Sequence, residues 1–151
     1  PVVLEAGAHL EWRPEPAVSV AGGSHRQMVP IELEGDATLD WTEAVVLGRT
    51  DEASGDWDAT MRVERNGAVM THQQVQLGPN HRGSQGPASM DHRRVLGSRL
   101  RVGPTPHPTV AGITDSVRWG RFVIADDAAQ IQAIGGSVSD VMAFVKEVDA
   151  G

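Results

Sequence analysis

Residues 57–77 read WDATMRVERNGAVMTHQQVQL, and the pair Asn66-Gly67 at their centre decides the fold class. Asn-Gly between two alternating runs supplies the positive-φ residues of a type I′ turn, the strongest short-range hairpin signal. Ala59, Met61 and Val63 share one face of the first arm. Val69, Thr71, Gln73, Val75 and Leu77 share one face of the second. Working outward, Val29, Ile31 and Leu33 alternate with Glu32 and Glu34, the period-two signature of a strand. Leu39, Trp41, Glu43, Val45 and Leu47 follow on one face of a longer strand. Glu43 stands in the apolar register there, where a carboxylate needs a partner, a channel or an interface.

Nearer the start, Val2–Leu4, His9–Arg13 and Ala17–Val20 read as short strands. Pro14-Glu15-Pro16 lacks two backbone donors and reads as an edge or corner. Residues 78–92 (GPNHRGSQGPASMDH) have the composition of a mobile loop. Strands are predicted again at Val95–Val102 and Val117–Ile124, separated by the rigid stretch GPTPHP at 103–108. Two short helices close the chain. The first is capped by Asp126 or Asp127 and runs through Ile134, with Ala129, Ile131 and Ile134 as apolar members. The second is capped by Ser137, with Val138, Val141, Met142 and Val145 on one face.

Composition removes whole classes of function. Thirteen basic residues face twenty acidic ones, for a net charge of -7, the wrong balance for a phosphate backbone. The chain therefore predicts no nucleic-acid partner. Lys146 is the sole lysine; the other basic residues are arginines, suited to planar, bidentate pairing. Cysteine is absent, which excludes disulfides, thiolate metal sites and a cysteine nucleophile and fits a cytoplasmic protein. No apolar run approaches the ~20 residues of a membrane helix, so no membrane partner is expected.

No catalytic fingerprint is present. The histidines His9, His25, His72, His81, His92 and His107 show no i,i+2 or i,i+4 pairing of the kind metal sites use. His25, His81, His92 and His107 fall in loop or near-loop positions. His9 and His72 lie on predicted strands and are the two candidates for transient metal ligation. Asp40, Glu43, Asp51, Glu52, Asp56 and Asp58 gather around one strand and its loop. They form either a solvated rim or an oxygen-lined path for a hydrated divalent cation. Arg49 reads as an interface anchor or as a clamp on nearby carbonyls.

The strings LEWRPEP (10–16), Gln27 after a small-residue turn, ATLDWTE (37–43) and LGR (47–49) occur in an order that resembles the UreD (UreH) family of urease accessory proteins. RVLGSRLRVGP (94–104) and ADDAAQIQAI (125–134) resemble its C-terminal pieces. The resemblance implies a mainly β, stacked-sheet or β-helix-like fold. It implies one domain over residues 1–151, with the family's N-terminal part lying outside this chain. It also implies a non-enzymatic scaffold in urease maturation, with the accessory proteins UreF and UreG and the apo-urease subunits as partners. Nickel would be in transit through an internal tunnel rather than tightly bound. On that basis Glu43 and His72 are the candidates for the nickel path, and Glu15, Trp41 and Arg49 for partner binding. The alternatives are a β-rich binding module and a metal-dependent hydrolase using Glu43 with a histidine.

Overall fold

The structure, a computed structural model, describes residues 1–104 and 109–147; the predicted 105–108 stretch and His107 lie outside the described residues. The strands in chain order are β1 (Val2–Leu4), β2 (His9–Trp12), β3 (Ala17–Ser19), β4 (Ser24–Leu33), β5 (Thr38–Leu47) and β6 (Asp56–Arg65). They continue with β7 (Ala68–Leu77), β8 (Val95–Val102), β9 (Val110–Ile113), β10 (Val117–Ala125) and β11 (Ala128–Gly135), and α1 (Val138–Glu147) follows. A four-stranded sheet, ordered β1-β4-β6-β7, faces a larger one ordered β2-β5-β8-β11-β10-β9, with β3 also paired to β5. Through its first half the chain alternates between the sheets. β1, β4 and β6 are parallel in one, and β2 and β3 run parallel to β5 in the other. This winding is that of a β-helix, as expected. The hairpin β6–β7 and the antiparallel strands β8, β11, β10 and β9 complete the two sheets.

The local signals behave as their chemistry requires. Asn66 and Gly67 adopt φ of 49° and 79°, the turn between β6 and β7. Pro14 and Pro16 stand between β2 and β3, which run in line along one edge of β5, so the prolines interrupt an edge strand instead of turning a corner. A bulge between Val63 and Glu64 shifts the register, so Val69 points to solvent instead of sharing the face of Gln73 and Val75. His25, predicted near a loop, lies on β4 and stacks on Trp57 at 4.2 Å. The loop at 78–92 is packed down rather than loose. Met90 is buried, and the Ser84 hydroxyl donates to the Gly78 carbonyl at 3.0 Å.

One expected helix is absent. The segment through Ile134 is strand β11, paired on one side to β8 and on the other to β10. Only α1 is helical among the described residues. Ala128, Gln130, Ile131 and Ala133 are all buried, because both faces of β11 are covered. A strand buried on both sides loses its alternation, and the residue spacing alone imitates a helix.

Three apolar clusters hold the layers together. Ile31, Leu33, Leu39, Trp41, Val63, Leu100, Val102 and Ala128 fill one end of the space between the sheets. Val45, Leu47, Trp57, Leu77 and Met90 fill the other. The third lies outside the large sheet, where Val141 and Val145 of α1 pack on Val95, Val117, Ile131 and Ala133. Gly97 of β8 permits that approach, since a Cβ there would lie 2.6 Å from Val141 Cγ1 and 3.1 Å from Val145 Cγ2. Gly97→Ala is expected to lower stability by about 1–3 kcal/mol through overpacking. Urea unfolding should show Val141→Ala in the same chain recovering part of the loss.

Candidate functional site

Between the two apolar ends, the inner faces carry polar side chains. Gln27 comes from β4, Glu43 from β5, Gln73 from β7, Ser98 from β8, and Gln130 and Gln132 from β11. The Gln27 amide donates to Glu43 Oε1 at 2.8 Å. Gln130 Nε2 donates to Gln73 Oε1 and, at 3.2 Å, to Ser98 Oγ. A cavity of about 60 Å³ runs among Gln27, Glu43, Gln73, Ser98 and Gln132. A water needs roughly 10–15 Å³ of such volume, so several fit. A second space of about 300 Å³ lies toward the β2–β3 break, lined by Trp12, Pro14, Glu15, Trp41 and Trp57. Gln27 and Glu43 border both spaces. The pair thus stands at the junction of an outer vestibule and the interior, with oxygen acceptors on its inner side.

Each singled-out residue has a definite place. Glu43 is half-buried in the inner register, as its position among apolar residues implied. Glu15 is exposed at the vestibule mouth. Trp41 is buried; Trp12 stacks on it with ring centroids 5.2 Å apart. Arg49 is exposed, and its backbone N–H donates to Glu52 at 3.0 Å. His72 is exposed on β7, opposite Arg62, on the face away from Gln73 and the cavity. The structure therefore does not bring His72 to Glu43. Of the acidic residues, Asp56 is held by the backbone and side chain of Asn80, and Asp58 by Gln74 and Gln76. Among the described residues no three His, Asp or Glu side chains converge to hold a metal ion. The glutamines and Ser98 went unremarked as site residues because neither type carries a catalytic or metal-binding signature. Only the inward register of Gln73 hinted at them.

The strand that carries Glu43 is fixed from its other face. Arg99 grips Asp40 with two hydrogen bonds, of 2.8 and 2.7 Å, while its remaining nitrogen reaches the Val145 and Lys146 carbonyls of α1 at 3.4 Å. Arg13 adds a contact to Asp40 at 3.3 Å. Burial raises the Asp40 pKa, but the hydrogen bond and charge of Arg99, aided by Arg13, outweigh it and hold the carboxyl below its ordinary value.

The profile of the UreD urease accessory protein family matches residues 2–148. The chain belongs to the UreD family. Urease accessory protein UreD of Parafrankia sp. (strain EAN1pec) is 33% identical over 165 residues, covering 89% of this chain and 56% of that relative. UreD of Frankia casuarinae is 32% identical over 140 residues, covering 86% and 43%. UreD 2 of Saccharopolyspora erythraea is 34% identical over 105 residues, covering 68% and 37%. This UreD-type chain spans about half the length of the first two of these curated relatives. No helix among the described residues is long and apolar enough to cross a membrane. Two of the residues that carry the family resemblance, Gln27 and Glu43, are hydrogen-bond partners across the sheets.

The Asp40 geometry makes a pH prediction. Its folded pKa lies below the unfolded value near 3.9, so its stabilisation is fully present above about pH 5 and is lost as pH falls through the folded pKa. Asp40→Asn leaves the Arg99 charge buried without its carboxylate, a loss of about 3–5 kcal/mol at neutral pH. Chemical unfolding followed from pH 7 to pH 2 should show a shallower pH dependence in the variant than in the parent.

Proposed function

We propose that this UreD-type chain is a non-catalytic scaffold in urease maturation, and that nickel crosses it as cargo along the polar layer between its sheets. The observation that carries the reading is the Gln27–Glu43 pair, which borders both the vestibule and the inner cavity. The Glu43 carboxylate, the Gln27, Gln73 and Gln132 amides and the Ser98 hydroxyl supply oxygen contacts of the kind a hard, partly hydrated divalent ion accepts, in a cavity otherwise walled by Val29, Ala59, Met61, Val75 and Leu96. A lone carboxylate with neutral amides and a hydroxyl supplies weak successive contacts, which favour passage over tight retention. Glu43 is then the acidic residue of the path, while His72 faces outward and lies off it. Glu15 at the vestibule mouth and Arg49 at the far end of β5 are exposed and suit contacts with UreF, UreG or the apo-urease subunits. Trp41 contributes from beneath by supporting Trp12. The proposed role is cytoplasmic, in one domain that the longer relatives extend.

The test is made in cells that produce urease and its other accessory proteins, with the resident UreD-type protein replaced by this one or its Glu43→Gln variant. Both amide and carboxylate accept a hydrogen bond from Gln27, so the variant is expected to fold and to bind the same partners. The nickel content and activity of the purified urease are expected to fall about tenfold or more. Unchanged nickel loading by a folded variant would remove Glu43 from the path. Failure of the parent protein to co-purify with urease or its accessory proteins would remove the scaffold role itself.

A further inference from the structure

The vestibule exists because both sheets lose an edge strand at the same place. β2 pairs with β5 as far as Trp12 on Trp41, and β3 resumes at Ala17 on Val45. Thr42, Glu43 and Ala44 are therefore left without a neighbour on that edge. In the facing sheet, β1 covers only Ile31–Leu33 of β4, so Ser24–Pro30 is bare on the same side. The space of about 300 Å³ there is at the lower end of pockets that enclose a whole small molecule. It is suited to one long side chain.

Its walls are aromatic and acidic. Trp12, Trp41 and Trp57 line it together with Glu15 and Glu43. Trp12 is 44% exposed and stacks on Trp41. Trp57 already carries a flat nitrogenous ring, since His25 stacks on it with centroids 4.2 Å apart and planes 16° apart. Glu43 receives a neutral amide on Oε1, and among the described residues its Oε2 accepts no hydrogen bond. Neither glutamate has a cationic partner among the described residues. The arginines that flank the vestibule in sequence are committed elsewhere: Arg13 to Glu11 and Asp40, and Arg26 to Asp58. A half-buried carboxylate beside indole rings, with no counter-charge, is stabilised by a cation that can also lie against the rings.

We propose that the vestibule receives one arginine side chain presented by another protein. The guanidinium plane stacks on indole in the manner of His25 on Trp57. It is weakly hydrated, so it enters an aromatic slot at lower cost than an ammonium group or a hydrated metal ion. Its fork of donors suits a carboxylate, here Glu43 within and Glu15 at the mouth. The bare edge of β4 offers backbone groups to the main chain on either side of the arginine, contacts that a free small molecule does not use. The net charge of -7 favours approach of a basic surface. The inference rests on the scaffold reading only in supposing that a partner exists. Peptide binding to the purified chain needs neither nickel nor urease, so the two fail separately.

The probe is acetyl-GGRGG-amide, titrated onto the purified chain and followed through the tryptophan indole N–H signals. Saturable shifts are expected at Trp12 and Trp57, with Trp119, which packs on Phe144 of α1, unmoved. The peptide with citrulline in place of arginine has the same shape without the charge and is expected to bind at least about tenfold more weakly. The lysine peptide is expected to bind about fivefold more weakly than the arginine peptide. Glu43→Gln should remove most of the preference for arginine over citrulline, and Trp12→Leu should weaken the arginine peptide about fivefold. Thermal unfolding of both variants is expected to match the parent. Equal binding of the arginine and citrulline peptides, a preference undiminished by Glu43→Gln, shifts at Trp119 alone, or no saturable shift at millimolar peptide would overturn the proposal. So would methylguanidinium binding as tightly as the peptide, which would make a small molecule the occupant.

Discussion

Strand β5 is buried on both faces, and the remainder of the architecture follows from satisfying it. Leu39, Trp41, Val45 and Leu47 lie against the small sheet, and Asp40, Thr42 and Ala44 lie beneath other cover. A strand in that position needs a sheet above it, a helix below it and neighbours on each edge. The chain supplies β4 and β6 above, α1 below, β2 and β3 on one edge and β8 on the other. The single charge pointing each way is matched: Glu43 by Gln27, and Asp40 by Arg99. Buried carboxylates without such partners would cost several kcal/mol each.

Much of this was legible in the residues where one physical cause acted alone. Asn66-Gly67 set a turn whatever surrounded it, and Pro14 and Pro16 mark a break in an edge strand because they remove donors. Glu43 was visible because a carboxylate in an apolar register is conspicuous. Legibility failed where tertiary cover erased the pattern. β11 was misread because Ala and Gln favour helices intrinsically and its double burial hid the alternation. The first half of β4, Ser24–Met28, shows no apolar alternation, because its polar side chains find their partners on other strands: Gln27 on Glu43, His25 on Trp57 and Arg26 on Asp58. Val110–Ile113 was missed because four residues give no measurable period. The polar layer was legible only in part, since glutamine looks the same in sequence whether it faces water or a cavity.

The near-exclusive use of arginine acquires a structural sense. Arg94 spans the carbonyls of Leu47, Gly48 and Arg49, where β5 turns away. Arg65 ties Asp127 to the Ala37 carbonyl, joining the turn before β11 to the start of β5. Arg99 ties β8 to α1 and β5. Each site needs several donors held in a fixed fork, which a lysine ammonium does not provide.

The winding of the chain also dictates a timetable. Asp40 and Arg99 are separated by 59 residues, and β5 cannot be covered below until α1 has been made. At about 5–20 residues per second on the ribosome, a tryptophan-bearing strand with a carboxylate on each face waits several seconds for its neighbours. During that interval Leu39, Trp41, Val45 and Leu47 lack part of the cover they have in the folded chain. The arginine that ends the wait arrives on β8, the strand that also closes the open edge of β5, so neutralisation and pairing occur in one step.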